Sequence, residues 1–293
     1  MSKTMSKIIA THPGAAHRDD MYSAAVLLAW YPDAKLERRD YTPEDLSSHD
    51  VIVVDQGGQH DPLADNYDHH QWKPGINCPC AFTLVAEQFL GLKKAEQEEL
   101  WPWARALSIM DNCGPYTLAQ EYGCNNPDLV YAMAMPPGEA FMLSQFGSTS
   151  VLLPHPMDSE GCLIREMLEE LGHSLIQQAT EYKELRDQDW TPDSFFDGLA
   201  VYDRELSFME RKFVDNFLAK VNASANEVVA IASHDDRGDG WAMIRFDDHP
   251  QFNAKRLQDD ERVLFAHNGG FILKTNERLD EGDLCALYKE AIK

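Results

Sequence analysis

The sequence predicts an α/β fold with a parallel sheet, and three observations support this class. Apolar runs typical of buried strands, at residues 7–11 and 51–54, alternate with segments whose apolar side chains repeat at helical spacing. Each run is followed at once by a polar cluster, as expected where the carboxyl ends of parallel strands meet. A second series of strands and helices follows residue 190 and predicts a smaller α/β domain.

The N-terminal domain is expected over residues 1–190. Its first helix follows from the apolar residues Met21, Ala24, Ala25 and Leu28, and Pro32 ends it. The turn signals after Trp190 mark the boundary to a domain over residues 191–293. The other predicted elements are strands at 35–38, 199–202, 228–232, 241–246 and 263–265, and helices at 81–90, 102–110, 159–186, 208–221 and from 281.

Charge restricts the partners of this chain. Its 49 acidic and 26 basic side chains give a formal net charge of -23. Long duplex DNA is repelled by such a field, and the sequence has no basic run that would neutralise many phosphates. A short oligonucleotide or a nucleotide drawn in by bound cations is compatible with this charge.

Location and assembly are less constrained by the sequence. No segment offers about 18 uninterrupted apolar residues, and the N-terminus lacks a stretch of signal-peptide length. Six scattered cysteines indicate reduced thiols rather than disulfides. We therefore expect a cytoplasmic protein with no membrane partner, and a homo-oligomer is left open.

Histidines and aspartates follow the predicted strands and suggest a metal site. Taken singly, each of these side chains could be a helix cap or a turn former. Together they supply the neutral nitrogen and anionic oxygen that suit Mn²⁺, Zn²⁺ or Co²⁺. The residues of this pattern are His12, His17, Asp19, Asp55, Asp68, His69, His70 and Asp111.

These motifs resemble those of the DHH phosphoesterase superfamily, specifically its melanocyte-proliferating-gene (Myg-type) exonuclease branch. The resemblance rests on residues 12–20, 55–58, 67–71 and 110–112, and on 265–271 near the C-terminus. It implies a DHH-type N-terminal domain, a smaller C-terminal domain, and a metal site in the cleft between them. It also implies two divalent ions, typically Mn²⁺, with Mg²⁺, Co²⁺ or Zn²⁺ as alternatives.

The resemblance assigns roles to individual residues. His12, His17 and Asp55 would hold one ion, while Asp19, Asp55, His69 and Asp111 would hold the other. Asp55 would bridge the two ions, Asp68 would orient the neighbouring histidines, and His70 would lie near the scissile phosphate. Two ions held in this way can activate a water for in-line displacement.

Substrate contacts are expected in the smaller domain. The segment His267, Asn268, Gly269 and Gly270 is the main candidate, because glycines expose amide groups that can hold an anion. Arg256 and Arg237 are further candidates, although surface ion pairs explain either of them equally well. The branch usually has Cys-Asp-Glu where this chain has Arg18, Asp19 and Asp20, a difference that bears on substrate choice.

Three functions follow as hypotheses. The first is an exonuclease-like phosphodiesterase acting on short single-stranded nucleic acid, as the resemblance implies. The second is a small-molecule phosphohydrolase acting on pyrophosphate, a nucleoside phosphate or a cyclic dinucleotide. The third is a non-catalytic module that binds metal or nucleotide.

Overall fold

The chain forms two compact units in the computed structural model, which describes residues 6–127, 130, 137–154, 161–223 and 227–293. The contacts divide the chain into Met1–Thr180 and Glu181–Lys293. The division falls inside a long helix, before the boundary expected at residue 190. The ring of Tyr182, just after this division, stacks on Phe213 of the same unit at a centroid distance of 5.4 Å.

The first unit contains a six-stranded sheet in the order β4-β5-β3-β1-β2-β6. Strand β1 pairs in parallel with β2 and β3, and β3 pairs in parallel with β5. The edge pairs β2-β6 and β4-β5 are antiparallel, so the prediction of an α/β class is confirmed but the sheet is mixed rather than purely parallel. The strands are β1 Ile8–Thr11, β2 Lys35–Arg38, β3 Val51–Val54, β4 His60–Asp61, β5 Asn66–Tyr67 and β6 Val151–Leu152.

Helices pack on this sheet through apolar faces. Helix α1 buries nearly all of its side chains, and Gly172 of α6 packs so tightly that an added Cβ would lie 2.0 Å from the Ala25 carbonyl oxygen. Helix α4 is broken at Gly114, which has a non-helical φ of 77° and is followed by Pro115. The helices are α1 Arg18–Trp30, α2 Ala81–Leu90, α3 Lys94–Leu100, α4 Pro102–Glu121, α5 Pro137–Gly147 and α6 Gly161–Leu185.

The second unit has its own six-stranded sheet, in the order β11-β12-β10-β9-β8-β7. Among its described strands, β8 and β9 pair in parallel and the other neighbours pair antiparallel. Its core includes Trp241, Phe252 and Tyr288. The elements are β7 Ser194–Phe196, β8 Leu199–Val201, α7 Phe208–Asn222, β9 Ala230–His234, β10 Trp241–Arg245, β11 Val263–Ala266, β12 Ile272–Thr275 and α8 Glu281–Ala291.

A helix that spans a bilayer needs about 20 predominantly apolar residues. Within the described ranges, no helix has both the length and the hydropathy needed to cross a membrane.

Candidate metal centre

Strand register brings three polar residues to one edge of the first sheet. Thr11 of β1 is level with Val54 of β3, and Val54 is level with Tyr67 of β5. The next residue of each chain segment is therefore His12, Asp55 and Asp68. Asp55 has a φ of 56°, in the left-handed region that aspartate tolerates better than most residues, so the backbone turns directly at the site.

The His12 and His17 rings converge on Asp55. The Nε2 atom of His12 lies 3.4 Å from Asp55 Oδ2, and the Nδ1 atom of His17 lies 4.0 Å from the same oxygen. One ligand atom from each of these three residues lies within 4.8 Å of the others, so the three could hold a metal ion.

His69 approaches the other side of Asp55. Its Nε2 atom is 3.1 Å from Asp55 Oδ1, 3.0 Å from Asp111 Oδ2 and 4.0 Å from Asp19 Oδ2. Asp111 Oδ1 is also 4.0 Å from His17 Nδ1. His17, Asp19 and Asp111 form another group that could hold a metal ion, and Asp55, Asp68, His69 and His70 form a third.

Five buried side-chain atoms of this cluster have no hydrogen-bond partner. A buried carboxylate oxygen without a partner is unfavourable, because it loses its hydrogen bonds to water and gains none within the protein. Bound cations would compensate for that loss at the atoms of His12, Asp19, Asp55 and Asp111, which belong to the groups that could hold a metal ion. The atoms are His12 Nε2, Asp19 Oδ1, Asp20 Oδ2, Asp55 Oδ2 and Asp111 Oδ2.

The imidazoles are oriented as metal ligands usually are. His12 Nδ1 lies 2.9 Å from the carbonyl oxygen of Pro13, and His69 Nδ1 lies 3.3 Å from Asn112 Oδ1. An Nδ1–H that donates to such an oxygen leaves the Nε2 lone pair available to a cation. In both rings it is Nε2 that faces the carboxylates.

Both carboxylate oxygens of Asp68 accept hydrogen bonds from backbone N–H groups of the loops around it. Its Oδ2 accepts from the Gly58 N–H at 2.6 Å, and its Oδ1 accepts from the N–H groups of His69 and His70 at 2.7 and 3.2 Å. The same Oδ1 lies 2.6 Å from His70 Nδ1. The imidazole of His70 is thus held on its Nδ1 side, while 61% of the side chain is exposed.

Asp19 is held by the start of a helix. Its Oδ2 accepts from the backbone N–H of Ala81, the first residue of α2, at 3.2 Å. Free N–H groups at a helix N-terminus favour a negative charge nearby. The other carboxylate oxygen, Oδ1, is the unpartnered one.

Sequence reasoning missed the part played by Asp20. This residue is fully buried, its Oδ1 accepts from the His17 N–H at 2.9 Å, and its Oδ2 lies 3.4 Å from His12 Nε2. The Nη2 atom of Arg38 lies 3.7 Å from the same oxygen. In the sequence, an acidic residue at this position indicates a helix cap, and Asp20 does cap α1. Its additional contact with His12 left no trace in the sequence pattern.

Mutual proximity shifts the pKa values in the cluster. Burial lowers the pKa of His69, but contact with the carboxylates of Asp111 and Asp55 outweighs it and raises the pKa to about 11. Contact with Asp55 raises the pKa of His12 to about 9. Burial beside Asp55 and Asp111 raises the pKa of Asp19 well above its usual range. Protons on His12, Asp19 and His69 thus offset the negative charge of the carboxylates, a role that a bound cation could take over.

In the second unit, the segment at residues 267–270 forms a tight turn between β11 and β12. The Gly269 N–H donates to His267 Nδ1 at 2.9 Å, which leaves the proton of a neutral imidazole on Nε2. Asn268 and Gly269 are exposed. Gly270, with a φ of 72°, approaches Asn253 so closely that an added Cβ would lie 2.3 Å from its side-chain oxygen.

The two arginines predicted to bind substrate are placed differently from this turn. Register pairs Ala242 with Lys274 and Ile244 with Ile272, so Arg237 precedes one end of β10 while the 267–270 turn adjoins the other end. The structure therefore does not bring Arg237 to that turn. Arg256 follows Ala254, whose N–H donates to the Gly270 carbonyl, but its own Nη1 donates to the Ala291 carbonyl at 2.9 Å.

Comparison with known proteins shows similarity over the N-terminal part of the chain. Residues 8–74 match the family model MYG1_exonuc, described as an uncharacterised protein family (UPF0160). The MYG1 exonuclease of Homo sapiens is 50% identical over 66 residues, which cover 22% of this chain and 17% of the human protein. Those of Mus musculus and Bos taurus are each 47% identical over 66 residues, covering 22% of this chain and 17% and 16% of the relatives.

The matched segment spans about a sixth of the length of these relatives. The residues matched by the family model include His12, Asp19, Asp55 and His69 but neither Asp111 nor any part of the second unit. The segment that supplies most of the candidate metal centre is therefore similar to the MYG1 exonuclease family.

Proposed function

We propose that this protein is a metal-dependent phosphoesterase that cleaves phosphodiester bonds of short single-stranded nucleic acid. The observation that carries the proposal is the convergence of buried imidazole nitrogens and carboxylate oxygens from His12, His69, Asp19, Asp55 and Asp111, at nitrogen–oxygen distances of 3.0–4.0 Å. The name exonuclease, carried by the relatives of residues 8–74, supports the choice of reaction.

Two divalent ions, with Mn²⁺ as the first candidate, would fit the donor set. His12, His17 and Asp55 would hold one. Asp19, Asp55 and Asp111, whose carboxylates lie within 4.0 Å of His69 Nε2, would hold the other together with His69, so that Asp55 is shared. Imidazole nitrogen mixed with carboxylate oxygen suits Mn²⁺, Co²⁺ and Zn²⁺ better than Ca²⁺. When bound, the ions would supply Lewis acidity to the phosphate and lower the pKa of a water.

His70 is proposed to contact the scissile phosphate. Because its Nδ1 is held by Asp68, the exposed Nε2 is the atom left to donate to a phosphate oxygen or to pass a proton to the leaving oxygen. Asp68 acts through His70 and through the loop N–H groups it accepts, so we assign it a positioning role.

The second unit is proposed to contribute substrate contacts at the 267–270 turn. The Nε2–H of His267 is a donor suited to a phosphate oxygen. Phe265 and Phe271, which flank this histidine, are 46% and 40% exposed, and His267 packs on Phe271 at a centroid distance of 4.1 Å. Exposed aromatic rings are the usual platform for unstacked bases, which favours nucleic acid over pyrophosphate as the substrate.

One assay separates this proposal from its alternatives. The protein would be incubated with Mn²⁺ and, in parallel, with end-labelled short RNA, short DNA, a cyclic dinucleotide and pyrophosphate. A ladder of shortened oligonucleotides supports the proposal, whereas hydrolysis of the cyclic dinucleotide or pyrophosphate alone replaces it with a small-molecule phosphohydrolase. Manganese binding without any hydrolysis would leave a non-catalytic binding module.

A pair of matched variants tests the origin of any activity. Asp55→Asn removes the charge of the carboxylate that the two ions would share, and it should abolish turnover. Asp247→Asn makes the same chemical change at another aspartate with positive φ, exposed in the second unit, and should leave the rate unchanged. Equal activity of Asp55→Asn and the unaltered protein would assign the hydrolysis to a contaminant.

A further inference from the structure

A cavity of about 210 Å³ in the first unit opens beside the candidate metal centre. Two of its lining residues, His17 and Asp111, also belong to one of the groups that could hold a metal ion. A phosphate bound to a metal ion at that group would therefore lie beside this cavity. The complete lining is Ala16, His17, Arg18, Leu107, Met110, Asp111 and Leu143.

The rest of the lining is largely apolar. Leu107 and Met110 come from α4, three positions apart and so on one face of the helix, and Leu143 comes from α5. Leu107 is 2% exposed, while Met110 and Leu143 are half-buried and so present part of their surface to a ligand.

The one arginine in the described lining is already neutralised. Arg18 forms an ion pair with Glu139 of α5, and the hydroxyl of Tyr22 donates to the same carboxylate oxygen at 2.9 Å. The Arg18 side chain is only 9% exposed and the Glu139 side chain 11%. Because its charge is balanced there, Arg18 is poorly suited to serve as an anchor for a second phosphate. Its contact with Glu139 instead holds α5, and with it Leu143, across from α4.

The volume of the cavity limits what it can hold. Pockets for whole drug-sized ligands have volumes of about 300–1,000 Å³, so this cavity suits one ring system rather than a complete nucleotide. Its apolar walls favour an uncharged group with apolar surface.

We propose that this cavity receives the nucleobase next to the phosphodiester bond that is cut. The inference rests on the proposed function and adds to it that the base, and not only the phosphate, is recognised. Met110 and Leu143 would contact the faces or edges of the base, and the Arg18–Glu139 pair would fix the width of the cavity. Pyrophosphate, which has no such group, would gain nothing from these walls.

Equilibrium dialysis gives a test that does not require turnover. In the presence of Mn²⁺, the protein should bind adenosine 5′-monophosphate roughly tenfold more tightly than ribose 5-phosphate, a difference of about 1.4 kcal/mol from the base contact. Equal affinity of the unaltered protein for the two phosphates would overturn the inference.

Substitutions in α5 locate the contact. Leu143→Trp should fill the cavity and bring the affinity for the nucleotide down to that for ribose 5-phosphate, which itself should not change. Leu143→Ala keeps the cavity open and should weaken nucleotide binding less. Phe141→Ala is the matched control, since Phe141 lies on the same helix, is 51% exposed and does not line the cavity. Equal loss in Phe141→Ala and Leu143→Trp would contradict the assignment.

Failure of this inference can be told apart from failure of the proposed function. Phosphodiester hydrolysis with equal rates on a dinucleotide and on its abasic analogue would keep the function and remove the base pocket. A tenfold preference for the nucleotide in dialysis, without hydrolysis of any phosphodiester, would keep the pocket and remove the function.

Discussion

The Nδ1 atom of His69 lies 3.3 Å from the side-chain oxygen of Asn112, and the opposite ring nitrogen lies 3.0 Å from Asp111. Neighbouring residues of α4 therefore contact the two nitrogens of one imidazole. The Asn112 amide nitrogen is itself fixed, donating to the carbonyls of Pro79 and Ser108 at 3.0 Å each. This arrangement fixes both the ring plane of His69 and the nitrogen it offers to a cation.

Removing the amide should weaken metal binding without unfolding the protein. In Asn112→Ala the His69 ring loses its Nδ1 acceptor, and we expect Mn²⁺ affinity to fall roughly 10–100-fold, as for other groups that orient metal ligands. Isothermal titration with Mn²⁺ measures the change. Asn276→Ala removes an exposed asparagine of the second unit and should leave the affinity as it was. Unchanged affinity in Asn112→Ala would show that the amide does not orient His69.

Asp68→Asn tests the loop that carries His69 and His70. Asparagine offers one acceptor oxygen, so either the Gly58 N–H or the His69 N–H would face an amide NH₂. We expect a loss of about 1–3 kcal/mol in the free energy of unfolding and a fall in kcat larger than the rise in KM. Urea unfolding and steady-state kinetics measure the two effects. Full stability with full activity in Asp68→Asn would contradict the positioning role.

Metal binding should release protons and strengthen as the pH rises. The pKa values of His12 and His69, raised to about 9 and about 11, mean that both imidazoles carry a proton at pH 7 that a metal ion must displace. Affinity for Mn²⁺ should therefore increase from pH 6.5 to 8.5. Titration at one pH in buffers of different ionisation enthalpy counts the protons released. Identical heats in all buffers would mean that no proton is exchanged.

The contact between α1 and α6 allows a test of packing away from the site. A Cβ at residue 172 would lie 2.0 Å from the Ala25 carbonyl oxygen, so Gly172→Ala must push the two helices apart. We expect the free energy of unfolding to fall by about 1–3 kcal/mol. Gly138→Ala, where a Cβ meets no atom within 4 Å, should be neutral or slightly stabilising. Urea unfolding of both variants would show whether Gly172→Ala is the more damaging change.

Periodicity predicted the long and buried elements of this chain well. The strands at 35–38 and 51–54 and the helix at 81–90 have the predicted bounds, because their apolar pattern and their turn signals agree. The two-residue strands β4, β5 and β6 are too short to show an alternating pattern. They include the antiparallel edges, which is why the sheet was expected to be parallel throughout. The helix expected at 102–110 runs a little further, to the break at Gly114 and Pro115, and a second helical segment continues from there to Glu121.

For the candidate site, sequence reasoning identified residues at strand ends more readily than their supporting contacts. His12 and Asp55 directly follow apolar runs, so their position at one edge of the sheet could be inferred. The contacts of Asp20 with His12 and of Asn112 with His69 depend on how α1 and α4 pack, which spacing along the chain does not reveal. The register of β10 and β12, which separates Arg237 from the 267–270 turn, was equally invisible in the sequence.

The level ends of β1, β3 and β5 have a practical consequence for handling the protein. Because the donor atoms meet only when these strands are paired, an unfolded chain offers a cation no comparable site. Manganese at a concentration of 100 times its Kd should then add about 2.7 kcal/mol to the free energy of unfolding. Purification in a chelating buffer would yield material that melts at a lower temperature, and adding the ion back should restore the original melting point.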